Sequence, residues 1–378
     1  MSPLRVLLVN DMPADPPFGG AEVYLGRVAA ALEADGDIVE LHTRTRLRNA
    51  LSMPLTFWDP MERRSLRRHI HAFKPDVIHY NNVFRELSGS VLGAVPEIPT
   101  VMTVHDQRVI GVTMGQGSRA RNAVDRRVKQ PIDRRVARRH IDVMLPVSGT
   151  IEQGLRMFHF PDVELVPVPA PSPSHALSPP SESCNVAFVG RLARDKGIDV
   201  LLDAWSAVRS AINDATLTVA GDGPLRSQVD DAAEALQGVT VVGKLDARQV
   251  SALLAECAFL VVPSLPDIRP EGSPLVAVEA AMHGRPLLVS DDPGLVELAN
   301  RFGNGVIVPA GDSERLAAAI IALLADPAER DRLGDSGRTA AERLHHIDPV
   351  IKRTRAAYQR AISKSGDVSL ATLHEPLG

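Results

Sequence analysis

Short apolar runs alternate with helix-patterned stretches along almost the whole chain, and this alternation narrows the possible folds more than any other feature. In the first half the runs are "RVLLVN", "DVIHY", "TVMTVHD", "VMLPVS" and "VELVPV". In the second half they are "NVAFVG", "TLTVAG", "VTVVG", "AFLVVPS", "PLLVS" and "GVIVPA". A strand that is apolar on both faces needs cover on both faces, which intervening helices supply. The pattern therefore predicts an α/β fold with parallel sheets. At 378 residues the chain exceeds what one core serves. The Pro/Ser-rich stretch "PVPAPSPSHALSPPSES" holds neither helix nor central strand and reads as a divider. Two Rossmann-like domains are expected, over 1–168 and 184–347, joined by a linker at 169–183. A last helix over 348–363 is placed to return to the first domain, and a polar tail, 364–378, follows it. Paired sheets of this kind face each other across a cleft and bind ligands at their strand ends.

Several function classes drop out on composition. The formal net charge of −4 lacks the basic balance of a general nucleic-acid binder. Cys184 and Cys257 are the only cysteines. They could pair, but their scarcity and the absence of a secretory leader favour reduced thiols and a cytoplasmic protein. No apolar stretch approaches the ~20 residues that span a bilayer. Spaced Cys/His clusters of the zinc type are absent, so no metal is expected.

Two segments carry chemistry. In "RPEGSPLVAVEAAMHGRPLL", Glu279 sits inside an otherwise apolar helical run and Glu271 lies eight residues before it. Ser273 reads as the N-cap, Pro274 as the first helical residue, Leu275 to Met282 as the helix and Gly284 as its stop. Glu279 either pairs with His283 one turn on or is reserved for ligand hydroxyls such as a ribose diol. Glu271 falls where a helix N-terminus favours an anion. After "NVAFVG" comes "RLARDKG", with Arg191 at the strand end, Lys196 five residues on, and Asp195 able to cap the helix that Gly197 enters. Two cations beside a helix N-terminus suit a pyrophosphate.

On these residues the chain resembles the retaining glycosyltransferases of family 4, with the GT-B fold. "GR-L-x-x-x-KG" is matched by Gly190, Arg191, Leu192, Lys196 and Gly197, and "G-D-G-P" by "AGDGPL". The paired glutamates and "A-x-x-x-G-x-P" are matched by Glu271, Glu279, Ala280, Gly284 and Pro286. The first domain adds Gly19 and Gly20 before a helix, His105 at a strand end and "PVS" at Pro146 to Ser148. Two departures stand out: Ser273 and Pro274 replace the family's Phe-Gly, and "PVPAPSPS" occupies the place of its "PNGV" segment.

The resemblance implies a role for each residue. Arg191 and Lys196 bind the donor diphosphate, Glu279 holds the ribose, and Glu271 meets the donor sugar. His105 faces that sugar from the first domain, and Gly19 and Gly20 let backbone approach the phosphates. Gly190, Gly272, Ser273 and Leu275 belong to the same donor-binding segments. The implied enzyme is a metal-independent, retaining hexosyltransferase using a UDP- or GDP-sugar as co-substrate and no further cofactor. Its acceptor hydroxyl belongs to a glycolipid, polysaccharide or metabolite, and domain closure keeps water out. The alternative is a non-catalytic GT-B subunit that binds a nucleotide or a partner protein. A dinucleotide-dependent oxidoreductase fails on pattern, since no G-x-G-x-x-G follows the first strand.

The segment Arg119 to Arg139 carries nine Arg/Lys, two Asp and an apolar stripe of Val124, Val128, Ile132 and Val136, with Pro131 splitting or kinking its helix. Such a stripe is expected to pack on its own domain. The other reading is peripheral docking on the inner, anionic membrane face.

Overall fold

The computed structural model describes residues 2–12, 20–44, 58–84, 87–105, 109–110 and 124–372. Gly19, Asp106, the stretch 107–108 with 111–118, and the basic segment before Val124 lie outside the described residues. Two compact units emerge, Met1–Pro169 with Ile347–Gly378, and Ala170–His346.

The first unit carries β1 (Arg5–Val9), α1 (Gly20–Ala34), β2 (Ile38–His42), α2 (Pro60–Phe73), β3 (Val77–Tyr80) and β4 (Thr100–Val104). After these come α3 (Gln130–His140), β5 (Val143–Pro146) and α4 (Gly149–Met157). Its strands are all parallel, in the order β2-β1-β3-β4-β5. Val6 to Val9 are fully buried, as a central strand covered on both faces requires. Edge strand β2 has no counterpart among the apolar runs, because IVELH leaves Ile38, Glu40 and Leu41 exposed. "VELVPV" is no strand of the sheet; it runs beside β5, tied by the bridge Met144–Val163 and by the Val166 N–H on the Pro146 carbonyl at 3.0 Å.

The chain's last helix, which follows the second unit in sequence, completes this first one. It runs Ile347–Thr372, beyond residue 363, where a polar tail was expected, because no proline follows Pro349 of its first turn and only Gly366 weakens it. It packs on α1 and on β3, β4 and β5. Tyr358 is fully buried there, its hydroxyl 2.7 Å from His79 Nδ1. Arg355 donates to the buried carboxylate of Asp37 at 2.7 Å.

The second unit contains β6 (Asn185–Val189), α5 (Ile198–Ala211), β7 (Thr216–Ala220), α6 (Arg226–Ala235), β8 (Val239–Gly243), α7 (Ala247–Glu256) and β9 (Phe259–Val262). It continues with α8 (Leu275–Met282), β10 (Leu287–Ser290), α9 (Pro293–Phe302), β11 (Gly305–Val308), α10 (Ser313–Ala325) and α11 (Pro327–His345). Counting the C-terminal helix as α12, this completes the fold. The parallel sheet has the order β11-β10-β9-β6-β7-β8. Trp205 is buried among Leu201, Val208, Leu217, Phe259 and Ile320.

The Pro/Ser-rich stretch is not a free linker. Buried Arg330 donates to the carbonyls of Pro180, Ser181 and Ser183, and buried Arg285 donates to that of Ser178 at 2.5 Å. Carbonyl partners let these guanidiniums stay charged in the interior. They fasten the stretch to the second unit. Among the described residues no helix is long and apolar enough to cross a membrane.

Candidate functional site

In a doubly wound sheet, ligands gather at the carboxyl ends of the strands where the order reverses. In the second unit that point lies between β6 and β9, and the loops after both carry the residues singled out in sequence. Lys196 Nζ donates to Glu271 Oε1 at 2.5 Å, and the Ser264 hydroxyl donates to the same oxygen at 2.7 Å. Arg191 Nη2 reaches both oxygens of Asp195, at 2.8 and 2.7 Å. Asp195 is therefore spent on orienting Arg191 and does not cap α5, whose N-cap is Gly197, without a side-chain cap. Gly197 has φ +64°, and a Cβ there would lie 1.9 Å from the Pro263 carbonyl oxygen. Only glycine lets the loop after β6 lie against the end of β9.

The start of α8 also differs from expectation. Pro274 occupies the N-cap and offers no side-chain cap. Ser273 is not the N-cap; its Oγ is buried without a hydrogen-bond partner. The first N–H groups of α5 and α8 thus lack side-chain caps, in a place where an anion would satisfy such donors. Leu275 opens α8, and Glu279 is half-buried on it. His283 does not use its ring nitrogens on the Glu279 carboxylate: Nδ1 pairs with the Glu279 carbonyl at 2.7 Å and Nε2 with Ser251 Oγ at 2.8 Å.

Asp292 was not singled out in sequence. It is fully buried at the N-cap of α9, where Oδ1 accepts from the N–H groups of Gly294 and Leu295 and Oδ2 from that of Glu271 at 3.0 Å. Burial raises its pKa. A Cβ on Gly294 would meet the Glu271 carbonyl at 2.5 Å and that of Gly272 at 3.0 Å, so α9 packs directly beneath the Glu271–Gly272 loop. Its sequence signal, an Asp-Pro helix start after "PLLVS", was open to view. Gly190 follows β6, its N–H bonded to the Ala220 carbonyl at 2.9 Å.

Gly20 opens α1 in the first unit and is exposed. His105 follows β4, its Nε2 3.2 Å from Asn81 Oδ1 and its ring edge-on to Tyr24 at 4.6 Å between centroids. Burial lowers its pKa to about 4, so the ring is neutral at pH 7. Behind it a buried chain of hydrogen bonds joins Tyr24, Thr103, His79 and Tyr358, at 3.1, 2.7 and 2.7 Å. The sequence reading passed over Asn81, although "HYNNV" sets two amides directly after a strand.

The basic segment departs most from expectation. A π-helical turn, Asp125–Lys129, precedes α3, which carries Pro131 in its first turn. Val124, Val128 and Ile132 point outward, 48, 47 and 43% exposed. The buried side is polar instead: Lys129 Nζ bonds Asp133 Oδ2 at 2.6 Å and the Phe84 carbonyl at 3.0 Å. This buried ion pair shares the inner face with Ala137, and of the four-residue stripe only Val136 is partly covered.

Comparison with known proteins agrees with the geometry. A sequence model described as "Glycosyltransferase Family 4" matches residues 18–170, and one described as "Glycosyl transferases group 1" matches 183–326. The chain is 29% identical over 285 residues to a glycogen synthase of Mycobacterium tuberculosis, covering 72% of this chain and 65% of the relative, just under two thirds of its length. The structure is similar to a sucrose-phosphate synthase from Thermosynechococcus elongatus, with TM-score 0.74, 21% identity, and 96% of this chain and 100% of that chain covered. It also resembles Anabaena HepE, solved in complex with UDP-glucose, with TM-score 0.69, 17% identity, and 94% and 100% covered. Two matching family models in tandem and a GT-B fold shared over nearly the whole length identify the chain as a member of the group 1, family 4 glycosyltransferases.

Proposed function

We propose that this protein is a retaining, metal-independent hexosyltransferase that moves a sugar from a nucleotide diphosphate donor to an acceptor hydroxyl. The Arg191/Lys196/Glu271 cluster at the switch point of the second sheet carries the reading. In such a transfer negative charge grows on the departing diphosphate. Fixed cations and uncapped helix N-termini stabilise it without reorganising, and supply the charge a divalent ion would otherwise bring. Lys196 and Glu271 are largely buried, so the cost of desolvating the pair offsets much of its attraction. A doubly charged diphosphate can displace it, freeing Glu271 for sugar hydroxyls. Glu279 takes the ribose, and His105 meets a sugar hydroxyl on the first unit. The acceptor attacks from the face the diphosphate leaves, and a leaving phosphate oxygen takes its proton. The UDP-glucose complex of HepE favours a uridine donor.

The test presents UDP-glucose, UDP-N-acetylglucosamine and GDP-mannose, follows nucleotide release, and reads the product anomer by NMR. Release with retention, unchanged by EDTA, is the expected outcome. Tight UDP binding without any turnover would favour the non-catalytic subunit instead.

A second reading concerns location. The outward Val124, Val128 and Ile132, flanked by Arg126, Arg127, Arg135, Arg138 and Arg139, suit an anionic membrane surface. Each cation near the surface contributes about 1 kcal/mol. Val128→Asp with Ile132→Asp should abolish co-sedimentation with phosphatidylserine vesicles. No sedimentation of the unmodified protein at low salt refutes this reading.

A further inference from the structure

Asp292 is fully buried, and burial raises its pKa. Capping a helix does not ask for that cost, since serine or asparagine caps as well with no charge to desolvate. What a carboxylate adds is a second oxygen. Oδ1 of Asp292 accepts from the N–H groups of Gly294 and Leu295 and so serves α9. Oδ2 accepts from the Glu271 N–H at 3.0 Å. The strand end just before Asp292 reaches the Glu271 side chain as well. Ser290 Oγ donates to the carbonyl of buried Ser264 at 2.6 Å, and the Ser264 hydroxyl donates to Glu271 Oε1 at 2.7 Å. From beneath, Gly294 lets α9 lie directly against the Glu271 and Gly272 carbonyls. A glutamate held at both backbone and side chain keeps its place when Lys196 turns to a diphosphate.

We propose that Asp292 is a positioning residue for sugar transfer: the oxygen that α9 does not use fixes the Glu271 backbone, and through it the carboxylate that meets the donor sugar. This rests on the glycosyl-transfer reading and adds to it the group that sets Glu271 in place.

The test measures, on the full chain, the affinities of UDP and UDP-glucose and of GDP and GDP-mannose, with kcat for the donor that turns over. Asp292→Ser keeps an oxygen for α9 but has no second one for the Glu271 N–H. It should leave affinity for the bare nucleotide unchanged, weaken the nucleotide sugar about tenfold and lower kcat by a similar factor. In a Glu271→Ala background the same substitution should weaken the nucleotide sugar no further. Gly294→Ala keeps Asp292 but drives a methyl group against the Glu271 carbonyl, 2.5 Å away. It should give the same pattern, and it carries the test if Asp292→Ser does not fold. Equal losses for nucleotide and nucleotide sugar would assign Asp292 to the α9 cap alone and overturn the proposal. So would wild-type affinity for the nucleotide sugar, or a full further loss in Glu271→Ala. A chain that binds neither UDP nor GDP fells the glycosyl-transfer reading, and the positioning role with it.

Discussion

The Lys196–Glu271 contact at 2.5 Å makes the proposed donor site testable one side chain at a time. Lys196→Ala removes a charge that acts chiefly on the leaving group, so kcat should fall by roughly 10²- to 10³-fold while the thermal midpoint stays within a few degrees. Glu271→Gln should also lose turnover yet keep UDP affinity, because the nucleotide relies on other groups. Retained turnover in either variant would move the site elsewhere. His79 makes a separate, pH-dependent prediction. Burial first, then nearby His105, lowers its pKa to about 3. Unfolding returns it to the ordinary value near 6.5, so the unfolded chain binds a proton that the native state refuses. Stability held above pH ~6.5 should therefore be lost as pH falls towards ~3, by roughly a few kcal/mol in all. Urea midpoints measured at pH 7, 5.5 and 4.5 should drop in that order; a flat series would contradict it. The Arg191, Lys196 and Glu271 cluster was legible in sequence because charge beside glycine at a strand end is conspicuous. Asn81 and Asp292 left only local signals, a strand end and a helix start; the groups they bond, His105 and the Glu271 N–H, lie 24 and 21 residues away.

Elements reveal which loops have no slack. Gly197 joins the loop after β6 to the end of β9, and its Cβ-free approach to Pro263 leaves no room for even a methyl group. Gly197→Ala should destabilise the second unit by about 1–3 kcal/mol through positive φ and overlap, and should weaken UDP binding more than a distant change of equal stability cost. Equal effects on both would assign the glycine to the fold alone. Central strands were legible as apolar runs. Edge strand β2 was not, because its residues face water. The stripe Val124–Val128–Ile132 has helical periodicity but faces outward. Periodicity locates a face, whereas the Lys129–Asp133 pair decides which face is buried.

The molecule as a whole is built from one contiguous unit and one discontiguous unit. Residues 170–346 hold their own sheet, core and proposed donor cluster, and Arg285 and Arg330 tie down the segment that enters it. Expressed alone, this piece should unfold cooperatively and bind UDP as the full chain does; aggregation without a UDP response would mean that it is no independent unit. Composition marks the Pro/Ser-rich segment, but only the structure shows its carbonyls taken by Arg285 and Arg330. Because α12 seals the first unit with Tyr358 and Arg355, the first sheet must wait for a helix made after the whole second unit. During synthesis the middle of the chain has all its parts while the amino-terminal sheet still lacks a wall. Premature termination shortly before residue 347 would leave a finished second unit joined to a sticky half-built neighbour, a product for proteases and chaperones rather than a weakened enzyme.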